Sequence, residues 1–316
     1  MTAAIPLSGG NSISGPHTHK NLTIYLIHGP NQTSRSFLTL QEALERKTAV
    51  VYETGSVNEL AIENLSGDQE IYVQSGDIVK GGRQDRTFKD DVILPTKSGK
   101  VPVQAFCVEH GRWSPRGKEA SGHFESSSQA VASRDMKKAV KMSANQAEVW
   151  GSVAESQRKL ASNVAAPVAA AASPTSYMLS LESGSLQKPV EEYVGALAGL
   201  ADSRADVIGY AVAVNGKLSS ADVYANHELF RKLWPKLLRA SAVEAITDLD
   251  AKANFQAPDL AAVKAFLEAS EKGKASMADV NARTRVVKKD SDQNAVFETQ
   301  DRAAKQGWLH KSYLAK

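Results

Sequence analysis

The dipeptide Asn215-Gly216 sits between two β-prone runs, Val207–Val214 and Lys217–Tyr224. Asn-Gly is the preferred core of a type I′ turn, because both central residues need positive φ. The spacing therefore predicts a two-residue hairpin over 207–224 and commits this part of the chain to antiparallel pairing. Other runs of the same kind lie towards the N-terminus: Leu22–Ile27, Ala49–Glu53, Val57–Glu63, Glu70–Val73, Ile78–Lys80, Asp91–Leu94 and Val101–Val108. Gly-Asp, Gly-Gly and Lys-Ser-Gly-Lys separate several of them as turns. Three further runs, Arg283–Lys288, Ala295–Thr299 and Trp308–Leu314, read as short strands near the C-terminus.

Helical signals are interleaved with these strands. Thr39-Leu40-Gln41-Glu42 has capping-box spacing. Trp150, Val153 and Leu160 fall on one face of a helix that runs over about 129–161, and Ser143-Ala144-Asn145-Gln146 marks a break within it. Pro189 suits the first turn of a helix over Lys188–Leu200. Asn226 can cap a helix carrying Leu229, Phe230, Leu233, Trp234, Leu237 and Leu238, in which Pro235 should produce a kink or a fresh start. Pro258 opens another helix to about Ser270.

The expected fold is α+β, with an antiparallel β-rich N-terminal region packed with a C-terminal helix and hairpin region. The expected organisation is a flexible arm over 1–20, a β-rich region over 21–128 and a helical segment over 129–163. A linker over 164–184 and an α+β region over 185–316 follow.

Charge and composition narrow the function classes. The formal net charge is +3, too small to argue a nucleic-acid footprint without clustered cations. The basic helix face of Arg231, Lys232, Lys236 and Arg239 reads as a solvated surface. No apolar run approaches the ~20 residues of a membrane span, so no membrane partner is expected. The start of the chain lacks a basic region followed by an apolar stretch, and there is a single cysteine, Cys107. The expected location is the cytoplasm. The histidines show no metal-ligand spacing. No Gly-x-Ser-x-Gly and no His/Asp pairing with an evident serine appears.

Two segments carry most of the chemistry. Lys80-Gly81-Gly82-Arg83-Gln84-Asp85-Arg86 places a glycine pair between cations, a composition that lets backbone amides approach an anion. Lys80 and Arg86 suit phosphate or carboxylate, and Gln84 suits an amide or hydroxyl. The spacing is not that of a Walker loop. A solvated surface turn is the plainer alternative. The second segment is Cys107-Val108-Glu109-His110-Gly111-Arg112-Trp113. Its Cys-to-Arg spacing is one residue short of a phosphatase loop, and Ser114-Pro115 follows where a helix should start. Cys107 is therefore read as a buried structural thiol. Glu109 and Arg112 form either a structural ion pair or a ligand clamp, and Trp113 either packs or stacks on a base or sugar.

Taken together, IYVQSGDIVKGGRQDR, VPVQAFCVEHGRW, GYAVAVNGKLSSADVY, ELFRKLWPKLLRA and WLHKSYLAK resemble a family named for its association with ADP-ribosylglycohydrolases and rhodanese-phosphatases. The resemblance runs from about residue 22 to the C-terminus. It implies NAD or ADP-ribose metabolism through genomic company, which does not identify a reaction. Its patterns carry over to Lys80, Gly81, Gly82, Gln84 and Arg86, and to Cys107, Glu109, Gly111, Arg112 and Trp113. The expected ligand-binding set is Lys80, Gly81, Gly82, Gln84, Arg86, Arg112 and Trp113, with Glu109 as general base or orienting acceptor. Two function classes stay open: a protein handling an NAD-derived or ADP-ribose-like nucleotide, or a non-catalytic module binding a nucleotide or a protein partner. Nothing names a cofactor, and no metal site is expected.

Overall fold

The computed structural model describes residues 4–112, 124–304 and 307–316. The chain divides into two compact units. Unit 1 combines Met1–Arg35 with Glu192–Lys316, and unit 2 is Ser36–Glu191.

The chain opens with β1 (Ile5–Pro6), β2 (Ser12–His19) and β3 (Leu22–His28). The flexible arm expected over 1–20 is corrected here: β2 pairs antiparallel with β3, from Ser12 opposite His28 to His19 opposite Leu22. Every residue of β3 is buried, so β3 needs a strand on each side. Only Ile13 of β2 reaches the core, and its polar neighbours hid the strand.

Next come β4 (Phe37–Thr39) and α1 (Leu40–Glu45). The capping box is complete: Thr39 Oγ1 accepts from the amide of Glu42, and Glu42 Oε2 accepts from the amide of Thr39. Seven strands follow: β5 (Ala49–Glu53), β6 (Glu59–Asn64), β7 (Glu70–Val73), β8 (Asp77–Gly81), β9 (Arg86–Phe88), β10 (Val92–Leu94) and β11 (Gly99–Cys107). Next is β12 (Phe124–Val131), which runs past the expected end of the β-rich region into residues 129–131, expected to begin the helical segment. Its Ser-rich sequence has little strand propensity, and pairing with β8 makes it a strand: Phe124 lies opposite Gly81 and Glu125 opposite Lys80.

The helices of unit 2 begin with α2 (Arg134–Lys138), which passes into a π-helical turn over Ala139–Ser143. The predicted break follows, and α3 (Gln146–Asn163) starts with Asn145 as its cap. The stretch expected as a linker contains α4 (Tyr177–Leu181), in which Tyr177, Met178 and Leu181 are buried. It is capped by Ser176, whose Oγ accepts from the amide of Leu179 at 3.1 Å. The remaining helices are α5 (Gly184–Leu197), α6 (His227–Thr247) and α7 (Leu260–Ser270). The remaining strands are β13 (Val207–Val214), β14 (Lys217–Tyr224), β15 (Lys274–Asp279), β16 (Thr284–Asp290), β17 (Asn294–Asp301) and β18 (Trp308–Ala315).

In unit 2, six strands pair in the order β12-β8-β9-β11-β6-β5, and a small sheet runs β10-β7-β4. The β4–β7 pair is parallel, an exception to the antiparallel expectation. The outer strands β5 and β12 of the larger sheet approach each other, and α1 packs on both, so the sheet curls around its interior.

In unit 1, nine strands pair in the order β1-β2-β3-β13-β14-β18-β17-β16-β15, all antiparallel. The predicted hairpin is present: Val214 pairs with Lys217, and Asn215 and Gly216 have φ of 52° and 72°. Side chains alternate between the two faces. Ala211 and Ala213 face the apolar cluster that also holds Val263 and Phe266 of α7. Tyr210 turns the other way, onto Phe230 and Trp234 of α6. Phe230 and Trp234 are buried, as their spacing predicts. The α6 helix runs on as one element through Pro235, so of the two expected outcomes there is no fresh start at the proline. A proline inside a helix costs ~3 kcal/mol, whereas each large apolar side chain buried on the sheet contributes about 1.5–3 kcal/mol. Burial of Leu233, Trp234, Leu237 and Leu238 therefore outweighs the loss. Among the described residues, no helix is long and apolar enough to cross a membrane.

Candidate functional site

Both polar segments lie in unit 2, at the end of its curled sheet. β8 ends on Gly81, the chain turns through Gly82 and Arg83, and β9 begins at Arg86. Val79 pairs with Arg86 across this hairpin, and Arg86 pairs with Cys107 of β11. The hydrogen-bonding register thus places the first segment directly beside the second. Gly82 has φ of 54°, and a Cβ built there would lie 2.4 Å from Phe124 Cζ and 2.6 Å from Glu53 Oε1. No other residue type fits this turn without displacing its neighbours. The amide of Arg83 donates to Glu53 Oε1 at 2.9 Å.

Arg112 joins the two segments. Its Nε donates to Glu109 Oε1 at 2.7 Å, and its Nη1 donates to the carbonyl of Gly82 at 3.2 Å. Glu109 is fully buried. Its Oε2 accepts from the amide of Asp85 at 3.3 Å, and its Oε1 also accepts from Ser173 Oγ. Asp85, equally buried, accepts from the amide of Gly81 at 3.0 Å and from Ser176 Oγ at 3.0 Å. Two carboxylates and a guanidinium therefore hold the two turns in one hydrogen-bonded knot.

The second segment is pinned from outside as well. Gln146, in the first turn of α3, makes a paired contact with Cys107: its Oε1 accepts from the Cys107 amide and its Nε2 donates to the Cys107 carbonyl, each at 2.8 Å. Trp150 Nε1 donates to the carbonyl of Glu109 at 3.0 Å. Thr175 Oγ1 donates to the carbonyl of His110 at 2.6 Å. His110, Trp150 and Thr175 also line a cavity of about 330 Å³ beside the knot.

The expected ligand residues separate into three groups. Lys80 lies on the flank, where its Nζ donates to Glu182 at 2.7 and 2.8 Å. Gly81, Gly82 and Arg112 belong to the knot. Gln84 and Arg86 are also buried, yet part of their hydrogen-bonding capacity is unused. Arg86 Nη1 donates to the carbonyl of Gln84 at 3.1 Å, and the Glu53 carboxylate stands 3.8 Å from Nη2. Among the described residues, Arg86 Nε and Gln84 Nε2 have no hydrogen-bond partner. Trp113 lies outside the described residues. Sequence reasoning missed Glu53, Asp85, Gln146, Ser173 and Ser176. Only Asp85 was within reach, inside the motif itself; the others arrive through tertiary pairing.

Cys107 is fully buried, and burial pushes its thiol up to about 11 despite the opposing pull of Arg86. That matches a structural thiol rather than a nucleophile at neutral pH. Among the described residues, no group of three or more His, Cys, Asp or Glu side chains is placed to hold a metal ion.

One family description, the ARG and Rhodanese-Phosphatase-superfamily-associated Protein domain, matches residues 10–314. The chain belongs to this family. No curated protein and no solved structure matches it. In this member of the ARG and Rhodanese-Phosphatase-superfamily-associated Protein domain family, both polar segments fall inside the matched span. The family's name associates it with ADP-ribosylglycohydrolase-related systems and leaves the reaction open.

Proposed function

We propose that this chain handles a small anionic ligand of the NAD-derived or ADP-ribose-like class, recognised in unit 2 by Arg86 and Gln84. One observation carries the reading: a guanidinium that is 1 % exposed has an unpartnered Nε, and the fully buried Gln84 amide that its Nη1 touches at Oε1, 3.4 Å away, has an unpartnered Nε2. Buried donors are paired in the great majority of cases, and an unspent donor on a buried cation costs several kcal/mol in general. A phosphate or carboxylate oxygen accepting from both donors removes that cost. The family's company with ADP-ribosylglycohydrolase-related systems points to a nucleotide as the source of the anion.

The second reading, binding without turnover, has its own support. Glu109, the expected base, has both carboxylate oxygens engaged within the knot. In this reading Glu109 orders the two turns, and Lys80 and Arg112 hold protein groups rather than ligand.

Thermal melts of the full chain against NAD, ADP-ribose, ADP and inorganic phosphate test the proposal. A ligand at a hundred times its Kd adds ~2.7 kcal/mol of stability. The expected result is a shift with at least one nucleotide that is lost in Gln84→Met and Arg86→Lys. No shift with any of the four, or one unchanged in Gln84→Met, overturns the reading. Mass spectrometry of the binding ligand after incubation separates turnover from binding.

A further inference from the structure

Unit 1 holds an arrangement that the sequence does not reveal. Ser14 of β2 and His28 of β3 lie on the same face of the nine-stranded sheet, opposite the face where Ile13, Tyr25 and Ile27 pack against α7. Ser14 Oγ is 2.7 Å from His28 Nε2. His28 also pairs with Val207 at the start of β13, which brings Asp206 alongside. Asp206 Oδ1 is 3.0 Å from His28 Nδ1. The serine, the histidine and the aspartate are thus linked in series through the two ring nitrogens.

The direction of the hydrogen bonds follows from chemistry. Arg204 grips Asp206 in a fork, Nε to Oδ1 at 2.9 Å and Nη2 to Oδ2 at 2.6 Å. This fork first, with the His28 bond adding to it, holds the Asp206 carboxyl well below the usual carboxylate range despite partial burial. An ionised carboxylate only accepts, so His28 Nδ1 carries the proton. When the ring carries only that proton, Nε2 is the acceptor and the Ser14 hydroxyl donates to it. This is the tautomer a general base requires.

The serine is also reachable. Ser14, His28, Gly15, Pro16, Leu26 and Arg204 line a cavity of about 590 Å³. That volume lies within the usual range for small-molecule sites. The β2–β3 register slips between Ser14 and His17, so Gly15 and Pro16 bulge from the ladder at the residue after the serine.

We propose that Ser14, His28 and Asp206 are nucleophile, general base and orienting carboxylate of a hydrolytic site that cleaves the ester of a short acyl group. Ser14 Oγ bonds to the ester carbonyl carbon while its proton passes to His28 Nε2, and the carbonyl electron pair moves to oxygen. Collapse of this intermediate breaks the bond to the alcohol oxygen, which takes the proton from His28 and leaves as the alcohol. Water then repeats the sequence on the acyl-serine, with His28 accepting its proton. A carboxylic acid departs and Ser14 regains its hydrogen. Leu26 and Pro16 supply an apolar wall for the acyl group. The proposal is independent of the anion site in unit 2.

An alkyl fluorophosphonate, followed by peptide mass spectrometry, tests the nucleophile in the unaltered full chain. The expected adduct is on Ser14, formed in the folded chain and not in denaturant. Hydrolysis of p-nitrophenyl acetate should fall to background in Ser14→Ala and by ~10²–10⁴-fold in His28→Ala. Asp206→Asn, at a partly exposed carboxylate, should lower kcat by a larger factor than it changes KM, because the tautomer is lost whereas the Arg204 fork at the cavity wall is only loosened. Absence of a Ser14 adduct, equal labelling in the unfolded chain, or unchanged hydrolysis in Ser14→Ala overturns the proposal. If His28→Ala does not fold, Asp206→Asn and the labelling of the unaltered chain still decide it.

Discussion

Arg112 Nη1 donates to the carbonyl oxygen of Gly82 across 3.2 Å, a bond that spans thirty positions of sequence and ties the two polar segments together. The same guanidinium holds Glu109 at 2.7 Å and is itself nearly buried. Truncating one partner of a buried pair leaves the other charge uncompensated, at a typical cost of about 3–5 kcal/mol. Arg112→Ala should therefore lose stability of that order in urea unfolding with no ligand present. Arg112→Lys should recover only part of it, because a point charge cannot bond Glu109 and the Gly82 carbonyl in the same fork. A change below about 1 kcal/mol would show that Arg112 is a ligand group rather than a structural one.

Two glycines of the motifs should respond differently to alanine. At Gly82 the added carbon meets Phe124 Cζ at 2.4 Å and the backbone has φ of 54°, so overpacking and left-handed strain add. The expected loss is on the order of 3 kcal/mol. At Gly111 the φ is 83° but nothing lies within 4 Å of the added carbon. Gly111→Ala should cost only the backbone strain, roughly 1 kcal/mol. Equal costs at the two sites, measured by denaturant titration, would remove the steric argument for Gly82.

Much of this architecture is legible in local chemistry, and the remainder is not, for identifiable reasons. The capping box at Thr39, the Asn226 cap and the Asn215-Gly216 turn are set by residues within four positions of one another, so spacing alone specifies them. β2 and β12 escape such reading because their side chains are mostly polar. They become strands only because β3 and β8 offer open hydrogen-bonding edges. The polar segments stand out as dense chemistry, but Glu53 and Ser176, which hold them, come from positions far along the chain. The link between His28 and Asp206 is invisible for the same reason: strand pairing across 178 positions creates it.

Cys107 offers a clean measurement. Its thiol is raised to about 11 by burial, with Arg86 pulling the other way. A group whose acid is raised from about 8.5 on folding favours the folded state fully below that value. The contribution is then lost as pH rises through about 11. Alkylation at neutral pH should be slow in the native chain and fast in denaturant. Gln146→Ala, which removes both bonds to the Cys107 backbone, should cost roughly 1–3 kcal/mol and raise the labelling rate by opening the strand end. Rapid labelling of the unaltered native chain would contradict the burial argument.

The acid limit of stability should be governed in part by two carboxylates of unit 1. Burial raises the Glu271 carboxyl, but bonds from Lys289 at 2.5 Å, Lys311 at 2.9 Å and the Tyr313 hydroxyl at 2.7 Å outweigh it, and it settles at about 2. Burial likewise raises Asp301, and bonds from Arg283, the Ala303 amide and Arg35 bring it down to about 2. A carboxyl depressed on folding stabilises the folded state above its unfolded value, near 4. That contribution fades as pH falls through about 2. Each group is worth up to about 3 kcal/mol before screening by solvent, which reduces Glu271 more because its side chain is the more exposed. Glu271→Gln should accordingly be less stable than the unaltered chain at neutral pH, and the difference should shrink as pH falls from 4 to 2. Urea titrations at several pH values give both curves. If they stay parallel over that window, Glu271 is not protonated there, and the lysines and tyrosine around it do not set the acid limit.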